Sequence, residues 1–278
     1  MNDDAELLKL TNSTGFVFQI GVRQHIERTF GDHHWEVVGQ EHRWDHHLTK
    51  QSSFADLVLS HTTYIFRIVI ECKRATDREW VFLTPSDSSR SRDRTSAFIF
   101  FAPLNTQGGG GWLDFGLQPP SPESAFCVVR GQDERNTPML ERVADSLLPS
   151  TEAIAYEEAY LNRTKESRVH PLVIPVLVTN ASLVTCAFDP GKVDLAEGRV
   201  SAAEFTKVDL VRFRKGLTTN YPGTRVPESL RQANQYGERT MLVVNAAALG
   251  NFLAGFRPDP NLGRVVNGFI EASRHARP

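Results

Sequence analysis

Two apolar, strand-like segments joined by a short polar turn constrain the fold more than any other part of the sequence. The segments are FADLVLS (54–60) and YIFRIVIECK (64–73), with SHTT at the junction. Runs of this kind separated by a polar turn predict a β-hairpin. The second segment is nearly continuous in apolar residues, which is typical of a strand covered on both faces of a sheet.

Three of the four charged residues in these segments lie towards their ends, and the fourth, Arg67, lies within the second segment. Asp56 lies near the start of the first, and Glu71 and Lys73 lie two apart at the end of the second. Side chains two apart on a strand point to the same face, so Glu71 and Lys73 project together while Cys72 points to the opposite face. The hairpin brings the start of one strand beside the end of the other, so Asp56 is expected close to Glu71.

Two interpretations fit this group of charges. The first is a Glu71–Lys73 ion pair at the edge of a sheet, with Asp56 as a polar residue near the start of its strand; exposed pairs of this kind contribute little to stability. The second is a metal site, because neighbouring carboxylates repel unless a cation neutralises them, and Mg²⁺ binds few protein ligands while retaining several waters. Charge at the end of a buried strand is costly without a partner, which favours the metal site.

The rest of the chain predicts a mixed α/β order. A first helix is expected over residues 11–30 and a strand over residues 34–44, both before the hairpin. The elements predicted after the hairpin are one broken or two short helices over 137–163, interrupted near Pro149, two strands within 170–189, a strand at 210–217, a helix, a strand at 240–245 and a small-residue helix.

Residues 84–136 interrupt this order with polar, glycine-rich and proline-rich stretches, and they predict a long insertion. The GGGG tract at 108–111 lacks the Lys-Ser/Thr ending of a phosphate-binding loop, so we interpret it as a flexible loop. The expected organisation is a core over residues 1–190 that contains the insertion. A C-terminal α/β extension over residues 191–278 is expected to pack on that core as part of one continuous domain.

Composition restricts the class of protein. With 40% hydrophobic and 23% charged residues the chain is typical of soluble globular proteins, and no apolar run approaches the roughly 18 residues of a membrane helix. The N-terminus MNDDAELLKL lacks the basic region of a secretory signal. Three widely spaced cysteines argue against a disulfide framework or a zinc ribbon. We therefore expect a cytoplasmic protein with no membrane partner.

The order of helix, strand, Asp-bearing strand and strand ending in Glu-x-Lys resembles the core of the PD-(D/E)xK nuclease superfamily. The resemblance covers about residues 11–83 and extends more loosely to about residue 188; GFVFQIGVRQHIE, FADLVL and IFRIVIECKR are similar to its Mrr-like branch. It implies a restriction-endonuclease-like mixed sheet flanked by helices. It also implies Asp56 and Glu71 as ligands of Mg²⁺ or Mn²⁺, the Cys72 carbonyl as a further ligand, and Lys73 acting on the attacking water.

The chain departs from the family pattern at two places. Ala55 stands where many members have a proline before the aspartate. Many members also carry a glutamate on the first helix that faces the site. The matching position here is either Gln19, a weaker metal ligand, or Glu27, about two turns later on the same face. The sequence leaves this choice open.

These residues and the resemblance predict a metal-dependent nuclease that hydrolyses phosphodiester bonds in DNA. The resemblance alone implies a role in bacterial defence or restriction. Two alternatives stay open: a catalytically inactive nuclease-like interaction module in a larger complex, and a nuclease that acts on RNA.

Nucleic acid is the expected partner, and basic residues provide candidate phosphate contacts. Residues 199–278 carry twelve Lys and Arg against six Asp and Glu, whereas the preceding part is acidic. The candidate contacts are Arg74, Arg78, Arg90, Arg92 and Arg94. A solvated loop explains the last three equally well. A contact with a second copy or a partner protein is assigned to the insertion at 84–136.

Five histidines lie close together before the hairpin. They are His33, His34, His42, His46 and His47. The spacing of His42 and His46 matches zinc ligands on a helix, but the segment is predicted as strand and loop and has no cysteine cluster nearby. We interpret it as a solvated polar connection.

Overall fold

The computed structural model describes residues 3–75, 79–85, 92–101, 109–131, 137–161, 170–217 and 228–275. The helices are α1 (Asp3–Ser13), α2 (Phe16–Arg28), α3 (Phe30–His33), α4 (Met139–Leu161), α5 (Leu230–Gly237), α6 (Leu249–Ala254) and α7 (Leu262–His275). The strands are β1 (Trp35–Asp45), β2 (Ser52–His61), β3 (Phe66–Lys73), β4 (Glu79–Pro85), β5 (Arg92–Phe101), β6 (Gly109–Ser121), β7 (Glu123–Ser124), β8 (Cys127–Val129), β9 (Leu172–Thr179), β10 (Ser182–Phe188), β11 (Val193–Asp194), β12 (Arg199–Val200), β13 (Glu204–Val208), β14 (Leu210–Gly216), β15 (Glu238–Asn245) and β16 (Arg257–Pro258).

The described strands form three sheets. The largest has the order β1-β2-β3-β9-β15-β14-β7, and the β5–β6 hairpin joins it at β9 and carries β16. The second has the order β13-β10-β4-β8, and the third is the β11–β12 pair. The large sheet is mixed, because β9 pairs in parallel with both β3 and β15 while β1, β2 and β3 are antiparallel. The α/β class, with a mixed sheet flanked by helices, is confirmed.

The predicted β2–β3 hairpin is present and lies inside the large sheet. Strand β3 is covered on both faces, as its apolar sequence predicts. Ile68 packs in the cluster that contains Ile26 of α2, and Val69 packs in the cluster that contains Ile154 of α4. Burying one such side chain contributes about 1.5–3 kcal/mol, so α2 and α4 are firmly attached to opposite faces of this strand.

The prediction of a helix interrupted near Pro149 is wrong. Helix α4 runs for 23 residues with Pro149 inside it. A proline in a helix interior removes one backbone hydrogen bond and costs about 3 kcal/mol. Eleven residues of α4 are buried against the sheet, and this burial outweighs the loss. The hydroxyl groups of Ser150 and Thr151 also donate to the Leu147 carbonyl, at 2.8 and 2.7 Å.

The interpretation of the glycine tract as a flexible loop is wrong for the three glycines that the structure describes. Residues 109–111 begin β6 and pair with the end of β5. A Cβ atom on Gly110 would lie 2.6 Å from Cδ2 of Phe100, and one on Gly111 would lie 2.7 Å from Cζ of Phe269. Glycine is needed at these positions because aromatic rings approach the backbone closely.

The C-terminal part completes the large sheet instead of packing on a finished core. Strand β15 lies between β9 and β14 and pairs in parallel with β9. Its residues Met241, Leu242, Val243 and Val244 are fully buried. Strands β14 and β15 thus belong to the same sheet as β1, β2, β3 and β9, although they lie beyond the boundary expected near residue 190.

A buried arginine connects the insertion to this C-terminal part. Arg212 of β14 is fully buried, and burial lowers its pKa to about 10. Its guanidinium donates to the carbonyl oxygens of Asp93, Arg94, Leu117 and Pro119 and to Oγ of Ser121, at 2.6–3.3 Å. All of these acceptors lie in the segment predicted as an insertion, so β5 and β6 are integral to the domain.

In the part of the chain that the structure describes, no helix combines the length and the apolar character needed to cross a membrane.

Candidate active site

The candidate site lies where β2 and β3 separate. Their backbone pairing runs from Ser60–Arg67 to Leu57–Ile70 and stops there. Strand β3 stays in the sheet to its end, because its residues pair with β9 as far as Lys73–Thr179. Beyond this last pair, β3 bonds to a side chain of β2 instead of its backbone. The Cys72 N–H donates to Oδ2 of Asp56, at 2.6 Å. This bond holds the carboxylate in the opening between the two strands.

Glu71 and Lys73 project together from the end of β3. Lys73 Nζ lies 2.5 Å from Oε1 of Glu71. The Glu71 side chain is 14% exposed and that of Lys73 is 41% exposed, so the pair lies at the surface of the opening. Cys72 is buried on the opposite face, in the cluster under α2, and burial together with the charges of Asp56 and Glu71 raises the pKa of its thiol. Such a thiol is not a nucleophile.

Asp56 has the most perturbed carboxyl group of this cluster. Its pKa is raised to about 6, first because it is buried and next because of the negative charge of Glu71. The Cys72 amide and the Lys73 ammonium act in the opposite direction, and Glu41 adds a further rise. The two carboxylates are therefore close enough to repel each other, which is the arrangement that a bound cation relieves.

Gln19 is the residue of the first predicted helix that reaches this cluster. It lies on α2 and is only 4% exposed. Its Nε2 donates to Oε1 of Glu41 at 2.6 Å and to the backbone carbonyl of Asp56 at 3.1 Å. Glu27 lies on the outer surface of α2, where its carboxylate pairs with Nε of Arg23 at 2.8 Å. The structure thus brings Gln19 to the site and leaves Glu27 outside it.

Glu41 belongs to the site, and sequence reasoning missed it. Neighbouring pairs Gln40–Leu57 and His42–Ala55 place it opposite Asp56 across the β1–β2 ladder. Its φ of 48° is unusual for a residue with a Cβ atom and interrupts the regular alternation of the strand. The register of the β1–β2 hairpin would have predicted that Glu41 lies opposite Asp56. The apolar pattern of β1 alone does not define that register.

The three candidate phosphate-binding arginines that the structure describes are not brought together. Arg74 follows Lys73 directly and is exposed beside the site. Arg92 lies 3.9 Å from Glu123 of β7, and Arg94 donates weakly to the carbonyl of Asp114 on β6, so neither reaches the site. The remaining two, Arg78 and Arg90, lie outside the described residues.

The histidine segment is not a solvated connection throughout. His46 is buried, and its Nε2 lies 3.0 Å from Oε2 of Glu152 on α4. His42 makes the same kind of contact with Glu157, at 2.8 Å. These contacts attach β1 to α4. His33 is also buried, and its Nδ1 accepts from the Trp35 N–H at 3.0 Å.

The residues of the candidate site fit a hard divalent cation with few protein ligands. Within the described ranges, no group of three or more His, Cys, Asp and Glu side chains is arranged to hold a metal ion. Asp56 and Glu71 nevertheless supply two carboxylates that repel each other beside an open surface. Oxygen donors of this kind suit Mg²⁺ or Mn²⁺, which bind through one or two carboxylates and keep several waters.

Comparisons of the chain with known protein families, with curated proteins and with solved structures found no match.

Proposed function

We propose that the protein is a metal-dependent nuclease that hydrolyses phosphodiester bonds, with DNA favoured over RNA as the substrate. The observation that carries this proposal is the convergence of Asp56, Glu71 and Lys73 at the separation of β2 and β3. The resemblance of the sequence around these residues to PD-(D/E)xK nucleases supports the same activity.

Each residue of the cluster has a distinct role in this proposal. Asp56, Glu71 and the carbonyl of Cys72 would hold Mg²⁺ or Mn²⁺. A bound divalent cation supplies charge stabilisation at the phosphate and lowers the pKa of water. The bond from the Cys72 N–H fixes the Asp56 carboxylate, so little reorganisation is needed. Lys73 is partly exposed and held by Glu71, and its ammonium can orient the attacking water or contact a phosphate oxygen.

A second candidate function is a nuclease-like interaction module without activity. The absence, among the described residues, of a three-side-chain metal cluster favours this alternative. So does the short Lys73–Glu71 contact, because the lysine charge already neutralises one of the two carboxylates. The two candidates differ in whether the protein binds a divalent cation and whether Lys73 is needed for cleavage.

Cleavage assays test the nuclease directly. The protein is incubated with plasmid, single-stranded DNA and RNA in Mg²⁺, Mn²⁺ or EDTA, beside Asp56→Ala and Lys73→Ala variants. We expect cleavage that requires metal and falls at least about 100-fold in both variants, the usual effect of removing a catalytic group. Glu27→Gln is the matched control, since Glu27 is an exposed acid of α2 outside the site, and it should cleave normally.

Three results would count against the proposal. Cleavage that persists in EDTA excludes a metal-dependent mechanism. Cleavage that survives both substitutions assigns the activity to other residues or to a contaminant. A folded protein that cleaves none of the three substrates with either metal supports the interaction module.

A further inference from the structure

One edge of the four-stranded sheet is open to solvent. The sheet has the order β13-β10-β4-β8, and β13 pairs with β10 from Leu183–Val208 to Ala187–Glu204 without a bulge. Among the described residues, no strand pairs with the other side of β13. The side chains of residues 204–207 are exposed on both faces of the strand. An edge of this kind presents unpaired backbone N–H and C=O groups with which a further strand can pair.

The segment that carries β13 stands away from the core. Residues 189–209 contain β11, β12 and β13, and none of them is buried. Leu195 is 91% exposed, and Phe205 of β13 is 64% exposed. Large apolar side chains held out in water commonly mark a surface that a partner covers.

The outer face of the same sheet is apolar. Cys186 is the partner of Phe205 on β13 and of Leu83 on β4, so these three side chains form one row across the sheet. The neighbouring row consists of Lys207, Val184, Val81 and Val128. Both rows face away from the core, because the alternate residues Trp80 and Leu183 pack in the buried cluster that includes α4. Phe205 therefore lies at the open end of an apolar face.

The charge of this segment argues against a polyanion as its partner. Residues 189–209 carry three basic residues against five acidic ones, which leaves a net charge of −2. The basic residues are Lys192, Arg199 and Lys207, and the acidic ones are Asp189, Asp194, Glu197, Glu204 and Asp209. A surface with this balance repels nucleic acid and anionic membranes. A protein strand is the better occupant, and it must fit an edge that carries Glu204 and Lys207.

We propose that a second copy of this chain pairs with β13 across a two-fold axis, so that two four-stranded sheets join into one sheet of eight strands. Antiparallel pairing centred on Thr206 sets Phe205 opposite Lys207 of the partner subunit. Each aromatic ring then lies beside an ammonium group, which is a favourable contact. Glu204 lies opposite Val208 of the partner subunit, so no two like charges meet directly.

A two-fold contact at this edge is self-complementary. Because directly opposite residues project to the same face, the axis stands perpendicular to the sheet. The apolar outer faces of the two copies therefore lie on the same side and become continuous. Each favourable pair is also made twice, once on either side of the axis. This inference concerns assembly and does not depend on the proposed nuclease activity.

Sedimentation velocity of the full chain in EDTA, without nucleic acid, tests this assembly separately from cleavage. We expect a dimer with a dissociation constant on the order of 10 µM, because an interface built on one five-residue strand is at the small end of the known range. Phe205→Lys should raise that constant at least about tenfold, since it sets two lysines opposite each other on both sides of the axis. Adding Lys207→Glu to Phe205→Lys should restore the dimer, because each introduced lysine then faces a glutamate.

Val128→Lys is the matched control. Val128 is 55% exposed on the same face of the same sheet, but it lies on β8 at the opposite edge. This variant should therefore dimerise normally. Both substitutions change exposed side chains, so the variants should keep the circular dichroism spectrum of the wild type.

The outcomes distinguish this contact from other kinds of association. Loss of the dimer in Phe205→Lys and its return in the double variant support pairing of β13 in this register. A folded wild type that stays monomeric up to about 200 µM overturns the inference, as does a dimer that Phe205→Lys leaves unchanged. A double variant no better than Phe205→Lys rejects the register. Loss of the dimer in Val128→Lys as well would assign the association to stacking of the apolar faces and overturn edge pairing.

Discussion

Replacing Asp56 with Asn is expected to stabilise the metal-free protein by about 2 kcal/mol at pH 8 while abolishing cleavage. The pKa of Asp56 is raised from its ordinary 3.8 to about 6 in the folded protein. A pKa shift of about two units corresponds to a destabilisation of the folded protein by nearly 3 kcal/mol. The carboxylate is partly exposed, and solvent screening reduces this figure. Asparagine keeps an oxygen for the Cys72 N–H but carries no charge to repel Glu71. The measurement is urea unfolding of both proteins in EDTA.

The pH dependence of this effect has a defined sign. Above pH 6 Asp56 is charged in the folded and unfolded states, so its destabilising contribution is fully present. As the pH falls from 6 towards 4, the folded carboxyl gains a proton that the unfolded one does not, and the contribution is lost. The stability difference between Asp56→Asn and wild type should therefore shrink to near zero at pH 4. Asp45→Asn, which removes a largely exposed acid of β1, is the control and should change stability by less than about 0.5 kcal/mol at pH 8. An Asp56→Asn variant no more stable than wild type at pH 8 would contradict the account.

Replacing Arg212 with Met is expected to lower the free energy of unfolding by about 3–5 kcal/mol. Methionine fills a similar volume but leaves four backbone carbonyls and the Ser121 hydroxyl without their donor. Buried acceptors that lose a charged partner cost about 1–3 kcal/mol each, and partial relaxation limits the total. The measurement is again denaturant unfolding.

The matched control for this substitution is Arg199→Met, which removes a largely exposed arginine and should change stability by less than about 0.5 kcal/mol. If Arg212→Met unfolds at the same urea concentration as wild type, the residues predicted as an insertion are not held by this side chain. The integration of β5 and β6 into the domain would then need another explanation.

The parts of the fold that the sequence predicts correctly are those governed by local pattern. The β2–β3 hairpin follows from two apolar runs around a polar turn, and the shared face of Glu71 and Lys73 follows from strand alternation. Strands β9 and β10 follow from the apolar residues between 170 and 189. In each case the decisive interactions are between residues close in the sequence.

The parts that escape prediction depend on contacts between distant residues. Strand β15 pairs with β9, which lies more than sixty residues earlier in the sequence. The local sequence pattern therefore does not predict that β15 lies inside the large sheet. Pro149 marks a helix break by propensity, but burial of α4 against the sheet overrides it. Glu41 joins the site through the register of β1 and a left-handed backbone conformation, neither of which its neighbours specify.

The central claim is that Asp56 and Glu71 together hold a divalent cation. Its most direct test is a calorimetric titration of Mn²⁺ into the wild-type protein and into Asp56→Asn, Glu71→Gln and Glu27→Gln variants. The account predicts one bound ion in the wild type and in Glu27→Gln, and loss of at least about tenfold in affinity in each of the other two. Equal binding by all four proteins, or no binding by the folded wild type, would contradict it.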